Sequence, residues 1–213
     1  MGMFLSSNYA ISLRWTSVEE ELMFKILFIL IYAAFAGVRV YYRSQNLGRT
    51  SEKEFNKITK SIVALTIAIL GYFASMILWI LLPQAIALLQ LALPALIRWI
   101  GVFVSVIGVA LLFWVHHTLG RQYSARLEIQ ELHQLITAGP YSRVRHPMYT
   151  IFILFSLSVS LISANLLFIL FAVFLSIPFH WITRIEESLL IDQFGEEYLE
   201  YMKRTGRFIP SIS

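Results

Sequence analysis

The chain contains no cysteine. That excludes disulfides, thiolate metal sites and cysteine nucleophiles. Charge is also scarce: Asp, Glu, Lys and Arg make up 14% of the 213 residues, where soluble domains carry about 25%. The scarcity is uneven, with none of the four between residues 147 and 183 or between 61 and 82. HExxH, GxGxxG, Walker A and GxSxG patterns are all missing, as is any Cys/His cluster with ligand spacing. Zinc hydrolases, soluble nucleotide-binding folds and serine hydrolases are therefore disfavoured, and no metal site is expected. The first fourteen residues lack the basic start of a secretory signal, so none is expected there.

What is present is apolar. Hydrophobic residues form 58% of the chain, and the mean hydropathy is +0.69. The composition predicts an all-α integral membrane protein of one domain, residues 1–213, with the lipid bilayer as its main partner. The net charge of +4 reads as a topology signal, and no nucleic-acid partner is expected. Five transmembrane helices are predicted, over 22–41, 61–82, 99–118, 149–162 and 166–182. Ser17 followed by Glu19, Glu20 and Glu21 marks the first helix start. Pro83 ends the second span. Residues 85–97, interrupted by Pro94, are too short to cross a core of roughly 30 Å and read as an interfacial or re-entrant piece. The uncharged run 147–183 would reach roughly 55 Å as one helix, so Ser163-Ala164-Asn165 is expected to fold it into a tight hairpin. Pro178 should kink the last span. The tail should form cytosolic amphipathic helices carrying Ile185, Leu189, Leu190, Phe194, Tyr198, Tyr201 and Met202, broken at Gly195. Basic residues crowd the loops 42–60 (Arg43, Arg49, Lys53, Lys57, Lys60) and 119–146 (Arg121, Arg126, Arg143, Arg145). This predicts a multi-pass protein of the cell (inner) membrane, with the amino terminus outside and the carboxyl terminus cytoplasmic.

The clustered polar residues fall on one predicted side, while the spans are nearly featureless. A transporter needs polar groups along a path at mid-span, so the asymmetry favours an active site at the cytoplasmic face. The densest stretch is 139–149, GPYSRVRHPMY. Pro147 suits a first helical position and holds His146 out of the helix. His146 therefore reads either as a cap or as a site residue. Arg143 and Arg145 read as topology charges or as part of that site. Glu186-Glu187 either pairs with Arg143, Arg145 or Arg184, or binds ribose hydroxyls or an amine. His116-His117 reads as an interfacial cap.

One combination is specific. His133-x-Leu135-Ile136-x-x-Gly139-Pro140-Tyr141-x-x-x-Arg145-His146-Pro147-x-Tyr149 is followed some thirty-five residues later by Glu186-Glu187-x-x-Leu190 and Phe194-Gly195-x-x-Tyr198-x-x-Tyr201. Over residues 119–210 this resembles the isoprenylcysteine carboxyl methyltransferase family, in its short five-span prokaryotic form. The resemblance implies a membrane methyltransferase using S-adenosyl-L-methionine without a Rossmann domain. It implies cofactor contacts from His133, Leu135, Ile136, Tyr141, His146, Pro147, Tyr149 and Glu186, and reaction roles for Arg145, Arg184 and Glu187. The family tends to place an Arg four residues before the first Glu, for the substrate. Ile182 stands there in this chain, and Arg184 lies two residues before the Glu, about 200° round a helix.

The implied chemistry suits these residues. Methyl transfer from a sulfonium to an ionised carboxylate is an in-line displacement that needs no general base, so alignment and water exclusion suffice. The expected acceptor is an amphipathic, isoprenoid-like small molecule or lipid. A phospholipid or amine methyltransferase, an NADPH-dependent membrane reductase of sterol-reductase type, and a non-catalytic scaffold or small transporter are the alternatives.

Overall fold

The computed structural model describes residues 18–45, 59–119 and 135–211, without the side chains of 59–62. The expectations placed on Ser17, Arg49, Lys53, Lys57, Lys60, Arg121, Arg126 and His133 fall outside the described residues or side chains. Six α-helices carry the described fold: α1 (Val18–Ser44), α2 (Thr59–Leu81), α3 (Ala95–Leu119), α4 (Pro147–Ser163), α5 (Leu166–Phe194) and α6 (Glu196–Arg204).

Each helix begins and ends for a local reason. Glu19, Glu20 and Glu21 occupy the first turn of α1 and Arg43 the last, matching the helix dipole at both ends. After α2 the chain turns through a 3₁₀ segment, Pro83–Leu89. The piece expected to be interfacial is this turn plus extended backbone, and α3 starts at Ala95. Pro94 initiates α3: its carbonyl accepts from Ile97 N–H at 3.0 Å. A proline is tolerated at a helix start because the N–H it lacks would have had no intrahelical acceptor.

The predicted hairpin forms at Ser163-Ala164-Asn165. Ala164 is left-handed (φ 48°), and the Asn165 side chain accepts from Leu167 N–H at 3.0 Å as the N-cap of α5. Asn165 Nδ2 also donates to Ile86 O at 3.2 Å, and Gln90 Nε2 to Ser163 O at 3.1 Å. The 83–94 segment thus closes the hairpin from below. At the same end Arg98, 1% exposed, donates to Ile162 O at 3.0 Å and pairs bidentately with Glu21 at 2.6 and 3.1 Å.

The far end of α5 departs from expectation. A span ending near 182 and a separate tail helix are one continuous helix of 29 residues, about 43 Å long. Nothing between Pro178 and Gly195 breaks it, and the helix continues through Pro178 although that residue has no N–H to give. Gly195, at φ 53°, ends it where expected, and Glu196 and Glu197 open α6.

Helix α4 packs against α3 and α5, α5 against α2, and α1 against α3 and α4. The core is aromatic. Phe28 meets Trp79 at 4.9 Å and Phe168 at 5.6 Å between ring centroids, and Phe35 stacks on Phe155 at 3.8 Å. Outward faces carry exposed Leu30, Leu70, Phe103 and Phe174, suited to lipid. Among the described residues, four helices are long and apolar enough to cross a membrane: α1, α2 over Val63–Leu81, α3 and α5. Helix α4 has 17 residues, about 25 Å, short of a full core. The alternation of directions puts the end of α1, the starts of α2 and α4, the end of α3 and the end of α5 together.

Candidate active site where α4 and α5 meet the tail

The site is built on the first turn of α4. Val144 and Gly206 form a parallel bridge, with Arg145 N–H donating to Gly206 O at 2.8 Å and His146 N–H to Arg207 O at 3.1 Å. The residues after α6 therefore lie alongside 143–146. Pro147 opens α4 with His146 at its N-cap (φ −121°, ψ 58°), whose side chain caps nothing. Held outside the helix, the imidazole is turned toward α5.

There it meets both carboxylates. His146 Nδ1 lies 3.3 Å from Glu186 Oε2 and Nε2 lies 3.3 Å from Glu187 Oε1. Two ring nitrogens can both donate only in the imidazolium form. Burial alone lowers the His146 pKa, but the hydrogen bonds to Glu186 and Glu187, with their charges, outweigh it and leave it raised.

The two carboxylates have different surroundings. Glu187, 4% exposed in its side chain, accepts from Arg145 Nε at 2.8 Å and from Arg207 Nη2. Glu186 has a side chain 22% exposed and accepts the Tyr149 hydroxyl at 2.6 Å. Consecutive helical residues point about 100° apart, so Glu186 faces Tyr149 and Phe179 while Glu187 faces the tail. The Tyr149 ring packs on Phe179 at 5.0 Å.

Arg145, expected to take part in the reaction, lies in a dense set of bonds. Besides Glu187, its Nη1 donates to Met202 O at 3.1 Å and to Thr205 O. It fastens the tail to α5. Tyr141 receives the Tyr201 hydroxyl on its carbonyl at 2.6 Å and packs against Leu112, Val115 and Ile151. Leu135 and Ile136 are half-buried in irregular chain before the turn. Arg184 is exposed on α5 and makes no hydrogen bond or ion pair among the described residues. Ile182 is buried. Of the residues singled out, the structure joins Arg145, His146, Pro147, Tyr149, Glu186 and Glu187, ties Tyr141 to Tyr201 of α6, and leaves Arg184 apart.

Three further residues complete the cluster. Arg207 closes on Glu187. The Phe208 ring lies 6.3 Å from His146 and 6.4 Å from His180. Thr150 Oγ1 donates to Phe208 O at 2.8 Å, which fixes the tail to α4. The basic content of 204–207 was visible in the sequence. Its pairing with 143–146 was not, because two irregular strands carry no periodic signal. His116 is fully buried and stacks on Tyr42 at 4.9 Å, so it is part of the packing rather than an interfacial cap.

Residues 99–192 match the model of the isoprenylcysteine carboxyl methyltransferase family. Among curated proteins, the chain is 33% identical over 99 residues to protein-S-isoprenylcysteine O-methyltransferase of Saccharomyces cerevisiae, covering 45% of this chain and 41% of that one. It is 32% identical over 115 residues to the Homo sapiens protein of the same name, covering 53% and 40%. It is also 30% identical over 125 residues to the cobalt-zinc-cadmium resistance protein CzcN of Cupriavidus metallidurans, covering 54% and 55%. The chain thus spans about two fifths to just over half of these relatives. Among solved structures, a eukaryotic intramembrane Ras methyltransferase, isoprenylcysteine carboxyl methyltransferase, superposes with a TM-score of 0.53 at 23% identity, over 87% of this chain and 68% of the other. The fold is shared.

Proposed function

We propose that the chain, whose residues 99–192 match the model of the isoprenylcysteine carboxyl methyltransferase family, is a member of it and transfers the methyl group of S-adenosyl-L-methionine to the carboxylate, or a related nucleophile, of an amphipathic, isoprenoid-like substrate at the cytoplasmic membrane face. The observation that carries this reading is the setting of Glu186, a partly open carboxylate held by Tyr149 and His146 inside the matched segment.

The residues fit the cofactor. Glu186 keeps an accessible edge and can accept from ribose hydroxyls or an amine, while Glu187 is already saturated by Arg145, His146 and Arg207. Tyr149 and Tyr141 supply aromatic walls, Leu135 and Ile136 apolar contact, and Pro147 the fixed turn. When bound, the cofactor supplies an electrophilic methyl group on a sulfonium. The rest is alignment. The Arg145–Glu187–Arg207 cluster locks the tail across α4 and α5, excluding water, and the Tyr149 hydroxyl fixes the Glu186 rotamer. A pre-oriented site of this kind lowers the barrier by preorganisation rather than by proton transfer, and an ionised acceptor needs no base.

Glu186→Gln should weaken calorimetric binding of S-adenosylhomocysteine to detergent-purified protein by at least about tenfold, since hydrogen bonds to a charged acceptor are worth about 1.5–3 kcal/mol. Unchanged affinity would remove the assignment. Heat stabilisation by NADPH instead of S-adenosylhomocysteine would favour the reductase alternative.

A further inference from the structure

The end of the molecule opposite the site is apolar where a turn facing water would be polar. Residues 81–97, from the last residue of α2 into the first turn of α3, include no Asp, Glu, Lys, Arg or His. Leu81, Leu82 and Leu96 are more than half exposed, and Leu88 is fully exposed. Trp99, Ile100 and Phe103 continue this apolar surface along the outward face of α3.

The backbone of the segment is also suited to lipid. Ala85 N–H donates to Leu82 O at 2.9 Å, Gln90 N–H to Ala87 O at 3.1 Å, Leu91 N–H to Ala164 O at 2.6 Å and Leu93 N–H to Leu91 O at 3.0 Å. Pro83 and Pro94 have no N–H to satisfy. Gln90 Nε2 and Asn165 Nδ2 take the carbonyls of Ser163 and Ile86. These polar groups turn inward to the hairpin while the leucines turn outward. Water makes exposed apolar area unfavourable, and lipid tolerates irregular chain only where its backbone is bonded.

Helix lengths set the depth. Trp114 on α3 and Trp181 on α5 are exposed near the site end, as indoles are at a membrane–water boundary. Trp181 stands sixteen residues after Asn165, about 24 Å along α5. Trp114 stands fifteen residues after Trp99, about 22 Å along α3. Both distances fall short of a core of roughly 30 Å, so the segment stops below the far headgroups of an unperturbed bilayer. The α1 side of the same end is charged, with Glu19, Glu20, Glu21 and Lys25 in its first turns. Glu21 pairs with Arg98 at the start of α3. That charged edge holds water close by, which sets the segment at the boundary of headgroups and acyl chains and not at mid-bilayer.

From this geometry we infer that residues 81–96 form a membrane wedge. Leu81, Leu82, Leu88 and Leu96 lie among the upper acyl chains of the leaflet opposite the site, and that leaflet is drawn in to meet the short helices, as a bilayer does around a short hydrophobic span. The partner is the acyl-chain region of a phospholipid monolayer, and no particular headgroup is required.

Because the chain has no cysteine, one introduced thiol can carry a probe. The full chain is prepared as Leu88→Cys and, separately, as Leu96→Cys. Each is labelled with an environment-sensitive fluorophore and reconstituted in phosphatidylcholine vesicles with iodide on both sides. Gln193→Cys, exposed on α5 beyond Trp181, is the water-facing control. The labels at 88 and 96 should emit to the blue of the control. They should be quenched several-fold more by lipid spin-labelled high on the acyl chain than by iodide, with the control showing the reverse. Both variants should keep the helical circular dichroism of the wild type, since neither leucine is buried, and either one alone suffices for the test. Emission and iodide quenching equal to the control would place the segment in water and overturn the inference. A blue-shifted label that neither quencher reaches would put a second copy of the chain over the leucines and overturn it as well. So would strongest quenching by a spin label at the methyl end of the acyl chain, which would move the segment to mid-bilayer.

Discussion

His146 is placed between two carboxylates, each 3.3 Å from a ring nitrogen, and its protonation couples the site to folding. A histidine whose folded pKa lies above its ordinary value of 6.5 contributes stability that is fully present below 6.5. The contribution is lost as pH rises through the folded value. The melting temperature of the purified protein should therefore fall as pH climbs from 6 toward 9, by roughly 2–4 °C for each kcal/mol lost. His146→Gln should flatten this slope. A wild-type profile that rises with pH, or a variant with the same slope, would contradict the imidazolium arrangement. At this scale the sequence marked His146, Tyr149 and Glu186 by type and spacing. The resemblance gave Glu186 to the cofactor and Glu187 to the reaction; the structure adds that their surroundings differ by direction, Glu186 meeting Tyr149 of α4 and Glu187 meeting Arg207 of the tail.

At the scale of elements, the site depends on how closely α3 and α4 approach. A Cβ on Gly101 would stand 2.6 Å from Ser158 O, 2.9 Å from Leu161 Cβ and 3.2 Å from Ile162 Cγ1. Only a residue without a side chain permits that contact, as small residues do between membrane helices. Gly101→Val should destabilise by about 1–3 kcal/mol, the usual effect of overpacking, read as a lower melting temperature. Gly37, whose Cβ would meet nothing within 4 Å, is the internal control. Gly37→Ala should be neutral or stabilising by up to about 1 kcal/mol. Hydropathy located the helices and the Ser163-Ala164-Asn165 turn. It placed the end of the last span near 182, because polar residues mark where a membrane stops and not where a helix stops. Hydrogen bonding inside α5 continues until Gly195 takes a conformation that ends it.

In the whole molecule, the chain end is a working part of the site. Thr205, Gly206, Arg207 and Phe208 contact Arg145, His146, Glu187 and Thr150. A chain truncated after Arg204 should keep its helical circular dichroism, since α1 to α6 remain. It should lose S-adenosylhomocysteine affinity by at least about tenfold, because Arg145 and Glu187 lose partners worth about 1.5–3 kcal/mol each. Retained affinity would show that the tail is dispensable.

The sequence alone determined that the protein is a helical membrane protein with its polar chemistry at one end. Scarce charge and long apolar runs leave few other solutions when every backbone group in lipid must bond within its own segment. Turn chemistry at Ala164, Asn165 and Gly195 is likewise local and was readable. Only the tertiary structure decided that Arg145 ties the tail to Glu187, that Arg184 lies outside the cluster, that Glu186 keeps an open edge, and that α1 brings Arg39 to the start of α4. Those outcomes depend on helix rotation and on contacts between segments some forty to over a hundred residues apart. No periodicity in a single chain records them.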